Sequence, residues 1–262
     1  MAVSPNLDLS IIIPTYKEET RIGKTLEELA KFIDGSKYKI EVLVVDAGSP
    51  DQTRDVAISK AKLFKHFRFV DAGPKPPRKA IKGKQVRTGV FEAKGQYVMF
   101  MDADLATPLK YLQQVFATMD ADQPVAICVR NLQESHKGLR KLISGTGNFL
   151  VQMLLLPGIK DTQCGFKAFK SDAAREIFGR QTILGWGFDM EVLAVARKLG
   201  YDIELIDVPD WKDVTKGSKI SGSPAIQAAM QTFGDLLNIK WGMMTGRYRK
   251  ASFHYHAKES KS

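Results

Sequence analysis

The stretch "YVMFMDADLATP", Tyr97 to Pro108, decides how the rest of the chain is read. It opens with five apolar residues, the pattern of a short strand covered on both faces. It closes on Asp102 and Asp104, one residue apart and just ahead of Pro108. Aspartate is a common turn former, so a capped turn is the simple account of the pair. Two carboxylates at a strand end also suit a hard divalent cation, Mg²⁺ or Mn²⁺, which keeps waters and takes further ligands from substrate phosphates. The surrounding sequence has to choose between the two.

Moving outward, "LSIIIPT" (9–15) and "IEVLVVDAG" (40–48) are again short apolar runs rich in Ile and Val. Between them, Ile22, Leu26, Leu29 and Ile33 recur at three- and four-residue spacing, which predicts an amphipathic helix. Further strands are predicted over 67–73, 96–102, 125–130 and 202–209. Helices are predicted over 53–64, 81–93, 109–119 and 138–159, from Asp172 onward, and in "GWGFDMEVLAVARKLG". Strands alternating with helices imply an α/β fold built on a parallel sheet with right-handed crossovers. Such sheets bind ligands at the carboxyl ends of their strands. Asp46, Asp102 and Asp104 all fall at such ends, which favours a site over a cap.

The net charge of the 262 residues is +10, and it is unevenly placed. Residues 60–88 hold ten Lys or Arg against one acid, and residues 211–262 hold nine against three. Two basic regions in an otherwise acidic chain point to anionic partners. Nucleic acid is not expected, because no aromatic ribonucleoprotein motif, finger or helix-turn-helix pattern is present. Cys128 and Cys164 have no metal-ligand spacing and fit a reducing compartment. The first residues lack a basic region followed by a long apolar stretch, and no run of about 18 apolar residues occurs. A soluble or peripheral protein is therefore expected. Residues 1–210 read as one α/β domain. Residues 211–262 read as a basic loop, an amphipathic helical appendage and a polar tail. The segment "SPAIQAAMQTFGDLLNIKWGMMTGRYRK" is apolar around much of its circumference and ends in Arg247, Arg249 and Lys250. It is either a helix packed on the domain or an interfacial helix with its basic end at lipid headgroups.

"SIIIPTYKEE", "VLVVDAGSPDQT", "KGKQVRTGV", "YVMFMDADLATP", "DTQCGFKAF" and "GWGFDMEVLAVARKLGY" occur in that order. Together they resemble the family 2 glycosyltransferases of the GT-A fold, over about residues 9–221. Within that family the pattern is nearest to the polyprenyl-phosphate branch, the dolichyl-phosphate β-glucosyltransferases first and the mannosyltransferases second. The resemblance implies a Rossmann-like, mostly parallel sheet flanked by helices. It also implies that Pro14, Thr15, Tyr16, Glu18 and Asp46 hold the nucleotide, and that Asp102, Ala103 and Asp104 take the metal and the donor diphosphate. A strand-ending turn and a helix cap are the plainer accounts of Pro14–Tyr16 and Asp46. The family usually has a second acid after Asp46, where this chain has Ala47.

In "KGKQVRTGV", a glycine beside Lys84 gives backbone access to a diphosphate. No P-loop spacing is present. Gly83, Lys84 and Arg87 are the expected nucleotide contacts, with an ordinary basic helix start as the alternative. For the acceptor phosphate the resemblance implies Arg130, Arg140, Lys219 and, less closely matched, Lys216. Asp189 in "GFDME" is implied to face the sugar or acceptor, although first-turn acids such as Asp189 and Glu191 also favour a helix dipole. Asp161 and Gln163 are either sugar contacts or loop caps, and Cys164 reads as buried and inert.

The expectation is an inverting, metal-dependent transfer of a hexose, glucose before mannose, from a nucleotide sugar such as UDP-glucose. The acceptor is a polyprenyl or dolichyl phosphate at the cytoplasmic face of a membrane. Peripheral attachment, a membrane-anchoring partner or a homo-oligomer would serve for location. GDP-mannose as donor, a soluble polysaccharide or protein acceptor, a nucleotidyltransferase and a sugar-nucleotide-binding module without turnover are the competing expectations.

Overall fold

The computed structural model describes residues 7–76, 80–130, 151–211 and 223–250, and in it the apolar runs line up as one seven-stranded sheet. The strands are β1 (Leu9–Thr15), β2 (Ile40–Asp46), β3 (His66–Asp71), β4 (Tyr97–Met101), β5 (Val125–Arg130), β6 (Phe166–Lys170) and β7 (Ile203–Val208). Their order is β3-β2-β1-β4-β6-β5-β7. Every pairing is parallel except the two made by β6, which runs antiparallel to β4 and β5. The register of β1 on β2, from Leu9 opposite Ile40 to Thr15 opposite Asp46, ends both strands at the same edge.

The helices are α1 (Ile22–Ile33), α2 (Thr53–Ser59), α3 (Lys82–Glu92), α4 (Leu112–Asp120), α5 (Ser171–Phe178), α6 (Phe188–Lys198) and α7 (Ser223–Thr245). Strand alternation splits the core in two. Ile12, Leu43 and Phe100 pack with α3, α5, α6 and α7 on one face. Ile11, Val42 and Met99 pack with α1 and α4 on the other. Burial on both faces is why β1, β2 and β4 read as unbroken apolar runs. Helix α3 lies tight on β1: a side chain at Gly89 would meet Ile12 at 2.7 Å. That approach carries the start of α3 over the ends of β1 and β2.

Strand β6 is the one element the sequence pattern does not announce. Two lysines in five residues break the apolar run, yet Lys167 is fully buried and its charge is paired inside. Because β6 runs backward, its first residue sits at the carboxyl edge of the parallel strands. The helix expected over 53–64 stops at Ser59 and continues as a 3₁₀ turn over Ala61–Leu63. The expected helix over 138–159 falls largely outside the described residues.

Helix α7 packs on the domain and also leaves a face uncovered. Leu236 and Ile239, with Tyr248 just beyond the helix, enter the core beside Phe188 and Val192. Met230, Phe233, Leu237, Trp241 and Met244 lie exposed at three- and four-residue spacing. Among the described residues, no helix is long and apolar enough to cross a membrane.

Candidate active site

The turn after β4 is built from both sides. The Asp102 backbone N–H donates to the carbonyl of Gly165 at 3.1 Å, which ties the turn to the start of β6. A side chain at Gly165 would collide with the Asp102 carboxylate, so the glycine is what makes room for it. The Thr25 hydroxyl, on α1, donates to the Ala103 carbonyl at 2.6 Å. Asp104 Oδ1 accepts from the Ala106 N–H at 3.0 Å, closing an Asx turn. Between them Leu105 has a φ of 56°, a left-handed conformation uncommon for a branched residue. Asp102, Ala103 and Asp104 all line a cavity of about 870 Å³ at the carboxyl edge of the sheet.

Negative charge accumulates there. Burial, and then the neighbouring Asp102 carboxylate, push the Asp104 carboxyl above its ordinary value against the Ala106 hydrogen bond. Burial likewise pushes Glu18 up, with Asp104 and Asp102 adding to it against Arg21. Opposing them is Lys82, the first residue of α3, whose ammonium lies 2.5 Å from Asp102 Oδ1. Burial works against the Lys82 charge, but Asp102, Asp189 and Asp104 together hold it above its ordinary value. Trp186 covers this ammonium at 5.6 Å from its ring centre.

The other expected residues divide clearly. Pro14, Tyr16, Glu18, Arg130 and Gln163 line the cavity with the two aspartates. Thr15 and Asp46 are buried beneath it: the Thr15 hydroxyl donates to Asp46, which also accepts from the Ser49 N–H and hydroxyl. Gly83 is a packing position, where a Cβ would meet Phe188 at 2.7 Å. The Lys84 ammonium turns toward Gly73, and Arg87 donates to the Gln181 carbonyl; neither lines the cavity. Asp189 is buried and ion-paired to Lys167 at 2.5 Å, and burial pushes its carboxyl up despite Lys167 and Lys82. Glu191 accepts from the Thr182 and Ile183 backbones and the Tyr248 hydroxyl, so it staples helix α6 to the C-terminal segment. Cys164 is buried and its thiol is pushed up to about 11, chiefly by burial. Arg140, Lys216 and Lys219 lie outside the described residues.

Arg130 is held as a rigid fork. Its Nε and one terminal nitrogen donate to the two Asp161 oxygens at 2.6 and 2.9 Å, and its guanidinium lies 4.8 Å from the Trp211 ring centre. Asp161 is thus a positioning partner for Arg130, and it also accepts from the Gln163 N–H.

Lys82, Gln85, Lys75, Trp186 and Trp211 line the cavity without having been singled out in the sequence. Gln85 donates from its amide to the carbonyls of Thr15 and Val45 at 2.6 and 3.0 Å, clamping α3 to the ends of β1 and β2. Lys82 had a signal, since it sits in the same basic motif as Lys84. The cavity thus has an acidic lip at 102–104, a lysine beside it and an arginine fork on β5. It is suited to a polyanion held through cations. Among the described residues, no three His, Cys, Asp or Glu side chains form a metal cluster, so a cation on this pair would draw further ligands from the bound anion.

Comparison with known proteins follows the same lines. The family model for glycosyl transferase family 2 matches residues 10–178. A dolichyl-phosphate beta-glucosyltransferase of Trichomonas vaginalis is 33% identical over 250 residues, covering 90% of this chain and 73% of that one. The mouse (Mus musculus) dolichyl-phosphate beta-glucosyltransferase is 31% identical over 264 residues, covering 94% and 79%. Among solved structures, a Mycobacterium tuberculosis glucosyl-3-phosphoglycerate synthase, crystallised with Mn²⁺, uridine diphosphate and phosphoglyceric acid, superposes with a TM-score of 0.65. It is 19% identical and covers 89% of this chain and 78% of its own, a likeness of fold.

Proposed function

The chain belongs to glycosyl transferase family 2, and from that premise we propose that it moves glucose from UDP-glucose to the phosphate of a dolichyl-type lipid at the cytoplasmic face of a membrane. The observation that carries this is the single cavity in which the Asp102–Asp104 turn and the Arg130 fork both open. One end suits a donor diphosphate and the other an acceptor phosphate. The relatives' names support glucose as the sugar and a dolichyl phosphate as the acceptor.

Asp102 and Asp104 fit a divalent cation, Mg²⁺ or Mn²⁺, because both line the cavity beside Glu18, and burial and the neighbouring carboxylates hold Asp104 and Glu18 above their ordinary values. Bound there, the cation would act as a Lewis acid on the diphosphate leaving group. Lys82 adds a second positive charge on the same side. The acceptor needs little activation. A phosphate monoester has its second pKa near about 6, so its oxygen is already a nucleophile at neutral pH. What the chain must do is orient it, and Arg130 is locked by Asp161 with an edge left to face the cavity. The acceptor oxygen bonds to the anomeric carbon as the bond from that carbon to the diphosphate breaks on the opposite side, which inverts the sugar. Trp186 and Trp211 flank the opening and would limit water.

The test is transfer to a short polyprenyl phosphate with Mg²⁺ or Mn²⁺, run in parallel with UDP-glucose and GDP-mannose. A β-glucosyl lipid phosphate from UDP-glucose is expected. Preference for GDP-mannose would overturn the sugar. Hydrolysis of the donors without transfer to lipid would overturn the acceptor.

A further inference from the structure

The start of α3 is short of negative charge. No side chain caps it, its first turn holds no acid, and Lys82 and Lys84 stand where the helix end already carries partial positive charge. Asp102 makes up part of that deficit by accepting the Lys82 ammonium at 2.5 Å. Viewed from the other side, Lys82 does for Asp102 what a metal ion would do. It places one positive charge on a carboxylate that has Asp104 and Glu18 as negative neighbours. Each partner thus stands in for the other's ligand. Lys82 is largely enclosed, so its ammonium cannot pass to water at little cost.

We infer that the Lys82–Asp102 ion pair is a latch that makes the donor diphosphate and its divalent cation bind as one unit. A cation arriving alone must compete with the Lys82 ammonium for Asp102 and would leave that ammonium enclosed without the carboxylate it is paired to. A diphosphate arriving alone must draw Lys82 from Asp102 and would leave the three carboxylates facing one another. Arriving together, the diphosphate takes Lys82 and the cation takes Asp102, and neither charge is stranded. The latch therefore holds off free cation and free nucleotide and admits their complex. This rests on the functional reading above, in which that complex fills the cavity.

The experiment measures Mn²⁺ binding directly, by the electron paramagnetic resonance signal of free Mn²⁺, with and without UDP. The wild-type chain is expected to bind Mn²⁺ weakly alone and tightly with UDP. Lys82→Met is expected to bind Mn²⁺ alone about tenfold or more tightly than wild type, within the usual range of coupling between two ligands. It should also bind UDP more weakly in the absence of metal. Lys82→Arg keeps the charge and should leave binding of Mn²⁺ alone weak. If Lys82→Met loses its cooperative thermal unfolding, Lys82→Gln repeats the test. A folded Lys82→Met that binds Mn²⁺ alone no more tightly than wild type overturns the latch while leaving the functional reading intact. A wild-type chain that binds no Mn²⁺ even with UDP overturns the functional reading, and the latch with it.

Discussion

At the scale of single residues, charge is handled in two ways around one cavity. Asp104 is an acid held above its ordinary proton affinity by burial and by Asp102, a costly arrangement that a cation would relieve. Asp104→Ala should therefore leave the fold intact, since it removes a disfavoured charge and gives up the Ala106 hydrogen bond of the turn, worth about 1 kcal/mol. Metal-dependent transfer should fall at least about a hundredfold, because Lewis-acid stabilisation is worth several kcal/mol and each ~1.4 kcal/mol is a factor of ten. Initial rates with UDP-glucose, alongside thermal unfolding of the same variant, check both halves. Asp161 is the opposite case. Burial works against its charge, but the Arg130 hydrogen bonds and charge outweigh it and hold the carboxyl below its ordinary value. Its stabilisation is complete above the unfolded value, near about 4, and is lost as pH falls through the lower folded value. Asp161→Asn leaves Arg130 buried against a neutral partner and should cost about 3 kcal/mol in a denaturant titration at neutral pH. The wild-type advantage over this variant should shrink below pH 4. The paired acids of 102–104 were legible in the sequence because their spacing and strand context are local. The choice between Lys82 and Lys84 was not, because residues two apart on a helix face different ways and only packing says which faces the site.

At the scale of elements, legibility follows the hydrophobic period. Strands buried on both faces announce themselves: β1 keeps its expected bounds, β4 falls within a residue of them, and β2 ends two residues before the expected 48. Strand β6 does not, because its inward Lys167 is balanced by Asp189, a residue on α6 far along the chain. An ion pair between distant elements has no local signature. Yet β6 matters most to the site, because its reversed direction sets Gly165 beside Asp102. Gly165→Ala tests that placement, since the added methyl would occupy space now held by the Asp102 carboxylate. The flanking strand pairs are unchanged, so the loss of stability should stay within about 1–3 kcal/mol, the usual cost of overpacking. Mn²⁺ affinity in the presence of UDP should fall much further in proportion. A variant with wild-type Mn²⁺ affinity would mean that Asp102 does not hold the cation.

At the scale of the whole molecule, the question is how this sheet would meet the proposed acceptor with its isoprenoid tail. Helix α7 supplies the geometry. It passes close beside the loop that places Trp186 at the cavity, since a side chain at Gly187 would collide with Asp235. Its inner residues Leu236 and Ile239 are fixed in the core, so its outer stripe cannot turn inward. That stripe leaves Met230 70% and Met244 72% exposed, with Phe233, Leu237 and Trp241 between them. The apolar share of this segment was legible in the sequence, but which side chains face out depends on the packing of α6 and Tyr248. Arg247, Arg249 and Lys250 follow the stripe directly, and apolar contact plus cationic charge is the combination that binds anionic bilayers. The variant Phe233→Ser/Trp241→Ser removes two of the largest outer side chains without touching the core. It should lose co-sedimentation with anionic vesicles, and transfer to a long polyprenyl phosphate embedded in them should fall about tenfold or more, since burying each such side chain is worth about 1.5–3 kcal/mol. Transfer to a short, water-soluble polyprenyl phosphate should be unchanged, because neither residue lines the cavity. Raising the salt should weaken vesicle binding of the wild-type chain, as the basic end contributes through screened charge. Equal loss with both acceptors would place the stripe's role in the fold instead. A wild-type chain indifferent to vesicles would turn the stripe toward a protein partner and the reaction toward a soluble acceptor.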